Sequence, residues 1–379
     1  LLVAQFSLSF IILSSASLIS LSLYKLSVQD TGFTTEQVVA LDLSSSAQDR
    51  MQFVQQLTLK LEGIPEINLA GYSTDTPLIS GRDYRRFFQV EGAPPIDQDD
   101  RPEVVSAAVS ANYHQILNIP LLQGRFLLDS DDENSPNSIV VNQEFVEQHL
   151  KGINPIGKRI STDLGKTWLT IRGVVGNIRD VQVNIEPKPT YYYPWKEHWQ
   201  YDLVLLLKSE TSIDNIRTLA SKVIYDLNPK QAIANIDSLN VIKEQSISSQ
   251  TLISILVSLF AGLAFIITIS GVVGVVSYNV NLQRKEIGIR VALGANPAAI
   301  RKIFTMQTIG LCLIGLCLGL LVLILVAPLL QNLLFGISSL HLPIYLAVSL
   351  LVMLSSILAA LYPVKAAVKL QPYETLREQ

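Results

Sequence analysis

The sequence predicts an α-helical membrane protein with four transmembrane helices plus an α+β extracytoplasmic domain of two lobes. Hydrophobic residues make up 49% of the 379 residues and charged residues only 16%, a balance typical of a chain in contact with a lipid bilayer. The hydrophobic residues concentrate at the two ends of the chain and leave a polar middle over residues 26–250. Within that middle, short β-type runs alternate with helical patterns, which predicts a folded domain between membrane spans.

Four stretches contain no Asp, Glu, Lys or Arg and are long enough to cross about 30 Å of hydrocarbon as helices. They are residues 1–23, 251–278, 303–340 and 342–364. The third is longer than one span requires and contains Pro328, so we expect its helix to kink or end near Ala327 and to continue as a short segment to Phe335. Four buried helices of a soluble protein are the alternative, but soluble cores rarely keep four such stretches free of charge.

The distribution of Lys and Arg predicts that both termini face the cytoplasm. Basic residues dominate the connection between the second and third spans and the tail after the fourth: Arg284, Lys285, Arg290, Arg301 and Lys302, then Lys365, Lys369 and Arg377. Short basic segments stay on the cytoplasmic side of a membrane. The polar middle and the turn at 338–341 are therefore predicted to lie outside, as in a multi-pass protein of the bacterial cytoplasmic (inner) membrane.

These predictions divide the chain into seven segments. They are transmembrane helix 1 at 1–25, the extracytoplasmic domain at 26–249, transmembrane helix 2 at 250–280, a cytoplasmic elbow at 281–302, transmembrane helix 3 at 303–337, transmembrane helix 4 at 342–364 and a cytoplasmic tail at 365–379. Leu1 already lies inside an apolar stretch, with no initiator Met and no basic segment before it, so we expect further residues upstream.

The extracytoplasmic segment shows clear β-type and helical patterns. We predict strands at 38–43, 104–109, 138–141, 168–175 and 203–208, and helices at 48–61, 143–150 and 213–227. The segment is long enough for two lobes. No Gly or Pro interrupts the chain from Asp237 to Ser249, so we expect one helix there, with Asp237 as its N-cap, running into the second span.

Two loops resemble ligand motifs but fail in the residues that the chemistry requires. Residues 152–158 match most of a phosphate-binding loop, yet Arg159 stands where a magnesium-binding Ser or Thr is needed, and Pro155 interrupts the strand-to-helix context. The acidic run from Asp129 resembles a calcium loop, yet its sixth position is Asn134 and its twelfth is Val140. Both runs are interpreted as solvated loops.

Other residue types give no sign of an active site. The four histidines are scattered, no nucleophile motif is present, and Cys312 and Cys317 lie in an apolar run, so we predict no catalytic residues, no metal site and no cofactor. An aromatic cluster is more typical of packing than of ligand binding: Tyr191, Tyr192, Tyr193, Trp195 and Trp199. The formal net charge of −3 argues against nucleic acid as a partner.

The residues of the cytoplasmic connection predict where one helix ends and the next begins. Leu282, Ile289 and Leu293 fall on one helical face, so the second span is expected to continue as an amphipathic helix. Gly294 suits the left-handed position that ends such a helix. Asn296 suits the N-cap of the next helix and Pro297 its first position. The alternative is that these basic residues only anchor the spans at the lipid head groups.

The residues of this connection also carry a family resemblance. The run from Arg284 to Ala295 reads RKEIGIRVALGA and is similar to the hallmark of FtsX/MacB-type ABC transporter permeases. Further motifs are similar to a subgroup of duplicated permeases without a fused ATPase, of which this chain resembles the second half. They are Asp30-Thr31-Gly32-Phe33, the runs at 119–125 and 154–160, Gly173-Val174-Val175-Gly176, Leu334-Phe335-Gly336 and the ending at 372–378.

The resemblance implies a MacB-like periplasmic core domain and a function in transport or efflux by mechanotransmission. It implies that an elbow transmits the motion of a separate cytoplasmic ABC ATPase to the outer domain, with a second permease half or protomer and possible help from a periplasmic adaptor. The residues implied to couple to the ATPase are Arg284, Lys285, Glu286, Ile287, Gly288, Arg290, Ala292, Leu293, Gly294 and Ala295. The chain itself would be no enzyme, since ATP hydrolysis is expected on the partner.

Two other functions remain as alternatives. A secondary transporter or channel is disfavoured because the four spans hold no charged side chain for a polar path or a proton relay. An FtsX-like signalling or scaffold protein, which regulates an extracytoplasmic partner, fits the same sequence. Within the spans, Gly315 and Gly319, together with Gly271 and Gly274, are expected to allow close helix packing.

Overall fold

The computed structural model describes residues 1–44, 50–79, 84–92, 101–131, 137–195, 203–283, 286, 289, 296–331 and 334–368. The chain forms two compact units, which we call the helical unit (Leu1–Val28 and Ser249–Gln379) and the sheet unit (Gln29–Ser248). The division follows the composition, since the apolar ends form one unit and the polar middle forms the other.

The described helices and strands are as follows. In chain order the helices are α1 (Leu2–Ser27), α2 (Arg50–Glu62), α3 (Tyr113–Ile116), α4 (Gln143–His149), α5 (Ile213–Leu227), α6 (Leu239–Ser246), α7 (Ser248–Leu282), α8 (Pro297–Gln331) and α9 (Leu342–Val368). The strands are β1 (Val38–Ser44), β2 (Leu69–Ser73), β3 (Arg85–Phe87), β4 (Gln89–Val90), β5 (Glu103–Val109), β6 (Leu121–Gly124), β7 (Ser138–Asn142), β8 (Arg159–Ser161), β9 (Leu169–Val175), β10 (Thr190–Pro194), β11 (Leu203–Lys208) and β12 (Ala232–Ser238).

The helical unit consists of the four long helices α1, α7, α8 and α9. Each contains a stretch that is long and apolar enough to cross a membrane, which confirms the four predicted spans. Helix α1 packs against α8 and α9, and α8 packs against α9. The core between them is formed by large side chains such as Phe6 and Phe10 of α1, Leu323 of α8 and Tyr345 of α9. Many other leucines and isoleucines of these helices are exposed, as expected of surfaces that face lipid.

Glycines of α8 and α7 lie against α1 and allow the close packing that the sequence predicts. A Cβ atom at Gly319 would meet the Phe10 ring and the Ser7 carbonyl oxygen, and one at Gly271 would meet the Gln5 side chain. The prediction is confirmed for these two and for Gly315. It is wrong for Gly274, since no atom of another described helix or strand lies within 4 Å of the added Cβ position.

Helix α8 does not end at Ala327. It continues through Pro328 to Gln331, and Leu334 and Phe335 lie in the following turn. Proline removes one backbone donor, but ending a helix in an apolar environment would leave several backbone groups without partners. Continuing the helix is therefore the smaller cost.

The sheet unit is built on one mixed sheet of twelve strands. Their order is β12-β1-β11-β2-β5-β10-β7-β9-β8-β4, with β3 beside β5 and β6 beside β9. Strand β1 pairs antiparallel with both β12 and β11, and β11 pairs antiparallel with β2. Strand β10 pairs parallel with β5, and β7 pairs parallel with β9. The two halves join through β2 and β5, which share the single pair Ser73 and Val109. A continuous hydrophobic core extends across both halves and includes Leu41, Leu57, Phe145 and Trp195.

The predicted single helix from Asp237 to Ser249 is not observed. Asp237 lies in β12, where it pairs with Ala40 of β1, and Ser238 is the N-cap whose hydroxyl accepts a hydrogen bond from the Val241 amide. Helix α6 then ends at Ser246, and α7 begins at Ser248. The absence of Gly and Pro permits a helix, but Asp237 and Ser238 instead complete the pairing of β12 with Ala40 and Val39 of β1, so the helix begins only after Ser238.

Candidate coupling elbow and extracytoplasmic cleft

The predicted coupling elbow follows α7. Helix α7 extends to Leu282, and the Gln283 amide still donates a hydrogen bond to the Asn279 carbonyl oxygen. Of the ten predicted coupling residues, Glu286 is described, with helical backbone and an exposed side chain. The others lie outside the described residues: Arg284, Lys285, Ile287, Gly288, Arg290, Ala292, Leu293, Gly294 and Ala295. Ile289 also has helical backbone.

The elbow segment ends at the N-terminus of helix α8, where Asn296 caps the helix. The Oδ1 atom of Asn296 accepts a hydrogen bond of 2.9 Å from the Ala298 amide, and its carbonyl oxygen accepts one of 2.8 Å from the Ala299 amide. Helix α8 begins at Pro297. The predicted N-cap and first helical position are therefore confirmed, and the direction in which the chain leaves the elbow is fixed by residues that the sequence identifies.

The polar groups between the membrane helices hold helices together. The Gln5 side-chain amide donates a hydrogen bond of 2.9 Å to the Ile267 carbonyl oxygen of α7, and the Ser20 hydroxyl lies 3.3 Å from that of Ser254. These are neutral groups on α1 and α7. Such contacts between helices are worth about 1 kcal/mol each in a membrane and suit packing rather than proton transfer.

A turn between α8 and α9 is tied to the end of α1. The Ser22 hydroxyl accepts a hydrogen bond of 2.7 Å from the Phe335 amide, and the Lys25 ammonium group donates one of 2.8 Å to the Gly336 carbonyl oxygen. Gln331 bonds the same turn through the Ser339 amide and the Ile337 carbonyl oxygen. The sequence marks this turn only through Leu334-Phe335-Gly336, where Gly336 has a φ of +63°. Its connection to Ser22 and Lys25 was not predicted.

A cleft in the sheet unit was also missed by the sequence interpretation. It has a volume of about 670 Å³ and lies between the exposed side of α2 and strand β6 with the loop that follows it. Tyr72 of β2 is at its base, and Glu62 and Asp129 lie on its walls. The one available signal was Leu59, which lies on the side of α2 opposite the buried Leu57 and is 71% exposed.

The carboxylates of the cleft influence one another and the tyrosine. Burial, together with the charge of Asp129, raises the pKa of Glu62 above its ordinary value. Burial, followed by the charges of Asp129 and Glu62, raises the pKa of Tyr72 to about 12. Burial lowers the pKa of His114, against an opposing hydrogen bond to the Ala111 backbone, so this imidazole is neutral at pH 7. The cleft therefore combines negative charge with apolar walls.

The loops that resemble ligand motifs have structural explanations. Residues 152–158 precede strand β8 rather than the helix that a phosphate-binding loop requires, and Arg159 forms an ion pair with Glu91. In the acidic run, Asp131 accepts two hydrogen bonds from Arg125 and one from the Leu128 amide. Asp132, Glu133 and Asn134 of this run lie outside the described residues. No group of three or more potential metal ligands occurs among the described residues.

The aromatic cluster belongs to the core of the sheet unit. Tyr191, Tyr192 and Tyr193 lie in β10 and are buried, as is Trp195, whose ring centroid is 4.8 Å from that of Tyr72. The packing interpretation is confirmed for these four residues. Trp199 lies outside the described residues.

Comparisons with known families agree with this division of the chain. Residues 28–223 match the model of the MacB-like periplasmic core domain, and residues 258–372 match the model of the FtsX-like permease C-terminal. The chain belongs to the FtsX/MacB-like permease family. The first match covers the sheet unit up to α5, and the second covers most of α7, the elbow, α8 and α9.

Curated relatives of this permease family are similar over part of their length. A macrolide export ATP-binding/permease protein MacB of Aggregatibacter actinomycetemcomitans is 24% identical over 230 residues, which is 56% of this chain and 34% of that protein. A probable syringafactin export ATP-binding/permease protein SyfD of Pseudomonas syringae pv. tomato is 25% identical over 231 residues, 56% of this chain and 32% of that protein. The chain thus spans about a third of the length of these relatives.

Two solved structures are also similar to part of this chain. The periplasmic region of MacB from Actinobacillus actinomycetemcomitans matches 56% of this chain and 94% of its own, with 14% identity and a TM-score of 0.40. The extracellular domain of the noncanonic ABC-type transporter YknZ from Gram-positive bacteria matches 52% of this chain and 100% of its own, with 13% identity and a TM-score of 0.35.

Proposed function

We propose that this chain is the membrane subunit of an ABC-type transporter or efflux system and works by mechanotransmission. In this proposal a separate cytoplasmic ATPase moves the elbow at 281–302, and the motion reaches the sheet unit on the outer side of a bacterial cytoplasmic membrane. The chain itself hydrolyses no ATP. A second permease half or protomer completes the membrane part, and a periplasmic adaptor is a possible further partner.

The observation that carries this proposal is the order of the matched segments along one chain. A span precedes residues matched by the MacB-like periplasmic core domain, and the FtsX-like permease segment follows. The elbow lies inside the FtsX-like segment, between α7 and α8. The MacB and SyfD relatives are export proteins by name and carry ATP-binding and permease functions together.

The composition of the spans indicates that the helices transmit motion. It does not favour a path for substrate between the helices. The stretches at 1–23, 251–278, 303–340 and 342–364 contain no Asp, Glu, Lys or Arg. Ion and proton pathways through membranes use ionisable side chains of this kind. The proposed role of the helices is therefore to move as bodies, which the close contacts of Gly315 and Gly319 with α1 would favour.

The proposal is tested by the ATPase activity of candidate partners. The full-length protein is reconstituted in lipid nanodiscs with each ATPase encoded next to it, and ATP hydrolysis is measured with and without the permease. Arg290→Glu is expected to abolish the change in hydrolysis, because it reverses a charge in the proposed contact. Lys365→Glu, a charge reversal in the predicted cytoplasmic tail, is the matched control and is expected to leave it unchanged.

Equal loss in both variants, or no effect of the permease on any ATPase, would contradict the proposal. The signalling or scaffold function would then explain the chain better. That function requires an extracytoplasmic partner whose activity depends on the sheet unit.

A further inference from the structure

The cleft of the sheet unit is bounded by a helix on one side and by a sheet edge on the other. Thr58, Leu59 and Glu62 line it from α2, and Leu121 and Gly124 line it from β6. Strand β9 is the one strand that pairs with β6 within the described part of the chain. All four residues of β6 are exposed. Strand β6 therefore has one edge without a strand partner among the described residues, and its Leu121 and Gly124 line the cleft opposite α2.

An open strand edge beside a helix is a geometry that binds extended peptides. Backbone N–H and C=O groups of the edge can pair with an added strand, and side-chain pockets along the groove supply selectivity. The volume of about 670 Å³ lies in the range of clefts that hold ligands. Its mouth contains exposed leucines, since Leu59, Leu121 and Leu128 are 71%, 41% and 49% exposed. Large apolar side chains exposed together mark a contact surface.

The charges of the cleft select among peptides. Glu62 and Asp129 contribute negative charge, whereas Arg125 is held by Asp131 in an ion pair of 2.7 Å and His114 is neutral at pH 7. Two carboxylates and one guanidinium line the cleft, so the formal charge of its lining is negative. A basic side chain on the bound segment would gain from it, and an acidic one would be repelled.

We propose that this cleft binds an extended polypeptide segment of a partner protein, which adds as a strand to β6 and places a Lys or Arg side chain near Glu62 and Asp129. Apolar side chains of the segment would cover Leu59, Leu121 and Leu128. The inference goes beyond the proposed function, because peptide binding in the cleft requires neither an ATPase nor ATP.

The test uses the full chain in lipid nanodiscs and a displayed library of random peptides of about ten residues. The enriched peptides are expected to alternate apolar residues with at least one Lys or Arg. Affinities of the best peptide are then measured for the wild type, Glu62→Gln, the double variant Glu62→Gln/Asp129→Asn, and Glu66→Gln. Glu66 is an exposed acid outside the cleft and serves as the matched control.

We expect Glu62→Gln to weaken binding by about two- to fivefold, the value of one partly exposed ion pair, and the double variant to weaken it further. Glu66→Gln should bind as the wild type does. Methylation of alternate backbone nitrogens in the peptide should abolish binding, because it removes the donors that pair with β6.

Three results would overturn the proposal. They are no enrichment of any peptide, equal binding by all the acid variants, and equal binding of the backbone-methylated peptide. The last of these would indicate a cleft for apolar cations that does not use the strand edge. Tryptophan fluorescence verifies that each variant is folded, because all three Trp residues (Trp168, Trp195 and Trp199) belong to the sheet unit.

Discussion

Gly315 of α8 lies so close to Phe6 of α1 that a Cβ atom added to the glycine would come within 2.6 Å of the Phe6 Cβ. The same Cβ would lie 2.9 Å from the Val3 carbonyl oxygen, which belongs to the backbone and cannot move aside alone. Gly310, on the same helix, has no such neighbour within 4 Å in the part of the chain that the structure describes. Substitutions at these two positions therefore distinguish a loss of close packing with α1 from the general effect of replacing a glycine in a helix.

Gly315→Leu is expected to destabilise the helical unit by about 1–3 kcal/mol, the usual cost of overpacking. Gly310→Leu should have little effect. The readout is the midpoint of SDS-induced unfolding in mixed micelles, followed by far-UV circular dichroism. A lower midpoint for Gly315→Leu alone supports the packing, and equal midpoints for both variants would contradict it.

Gly32 is expected to tolerate alanine poorly. Its φ is +77°, and an added Cβ would meet the Asn177 carbonyl oxygen, whereas Gly92 has the same φ and no described residue within 4 Å of such a Cβ. Gly92→Ala should cost about 1–2 kcal/mol for the left-handed backbone alone. Gly32→Ala should cost clearly more, and it should lower the unfolding temperature reported by tryptophan fluorescence further than Gly92→Ala does. Similar temperatures for the two variants would show that the contact with Asn177 is unimportant.

The carboxyl of Asp163 is expected to titrate with a pKa of about 2. Hydrogen bonds from the Thr167 backbone and side chain, and from Ser161, lower it from the ordinary 3.8 and outweigh the opposing effect of burial. A lowered pKa means that this carboxylate stabilises the folded state above pH 3.8 and that the contribution is lost as the pH falls toward 2. Carboxyl ¹³C NMR of the full chain measures this value.

Thr167→Val should raise the pKa of Asp163, because one of its hydrogen bonds is removed. Thr218→Val is the control, since the Thr218 hydroxyl bonds the Asp214 carbonyl oxygen within α5. An unchanged midpoint for Asp163 in Thr167→Val would contradict the assignment.

Ser22→Ala is expected to loosen the turn between α8 and α9. The Phe335 amide would lose its hydrogen bond to the Ser22 hydroxyl, and a hydrogen bond of this kind contributes about 0.5–1.5 kcal/mol. Hydrogen–deuterium exchange should accelerate at Phe335 and Gly336. Ser355→Ala is the comparison, because the Ser355 hydroxyl donates a hydrogen bond to the Val352 carbonyl oxygen of its own helix. Unchanged exchange in Ser22→Ala would mean that the turn holds without α1.

The sequence predicts the elements that have a strong local signal. The four spans follow from stretches without charge, α5 was predicted at its observed bounds, and five strands were predicted within about two residues. The Asn296 cap was also predicted, because its chemistry depends on neighbours in the chain. These features require no knowledge of distant contacts.

The features that were missed depend on distant contacts. Strand β12 runs to Ser238 because it pairs with β1, although the two are far apart in sequence, whereas the local pattern predicts a helix that begins at Asp237. The cleft requires α2 to stand opposite β6, and the turn after α8 requires Ser22 and Lys25 of α1. Local periodicity holds no information about such pairings.

The central claim, that the elbow couples this permease to an ATPase, is tested most directly by site-directed crosslinking. Single cysteines are placed at Ile287, Arg290 and Ala295 in the full-length protein after replacement of Cys312 and Cys317. The account predicts crosslinks to a co-encoded ATPase that change with ATP, and none from a cysteine at Glu66 in the sheet unit. Absence of ATP-dependent crosslinks with every co-encoded ATPase, in a folded and membrane-inserted protein, would contradict it.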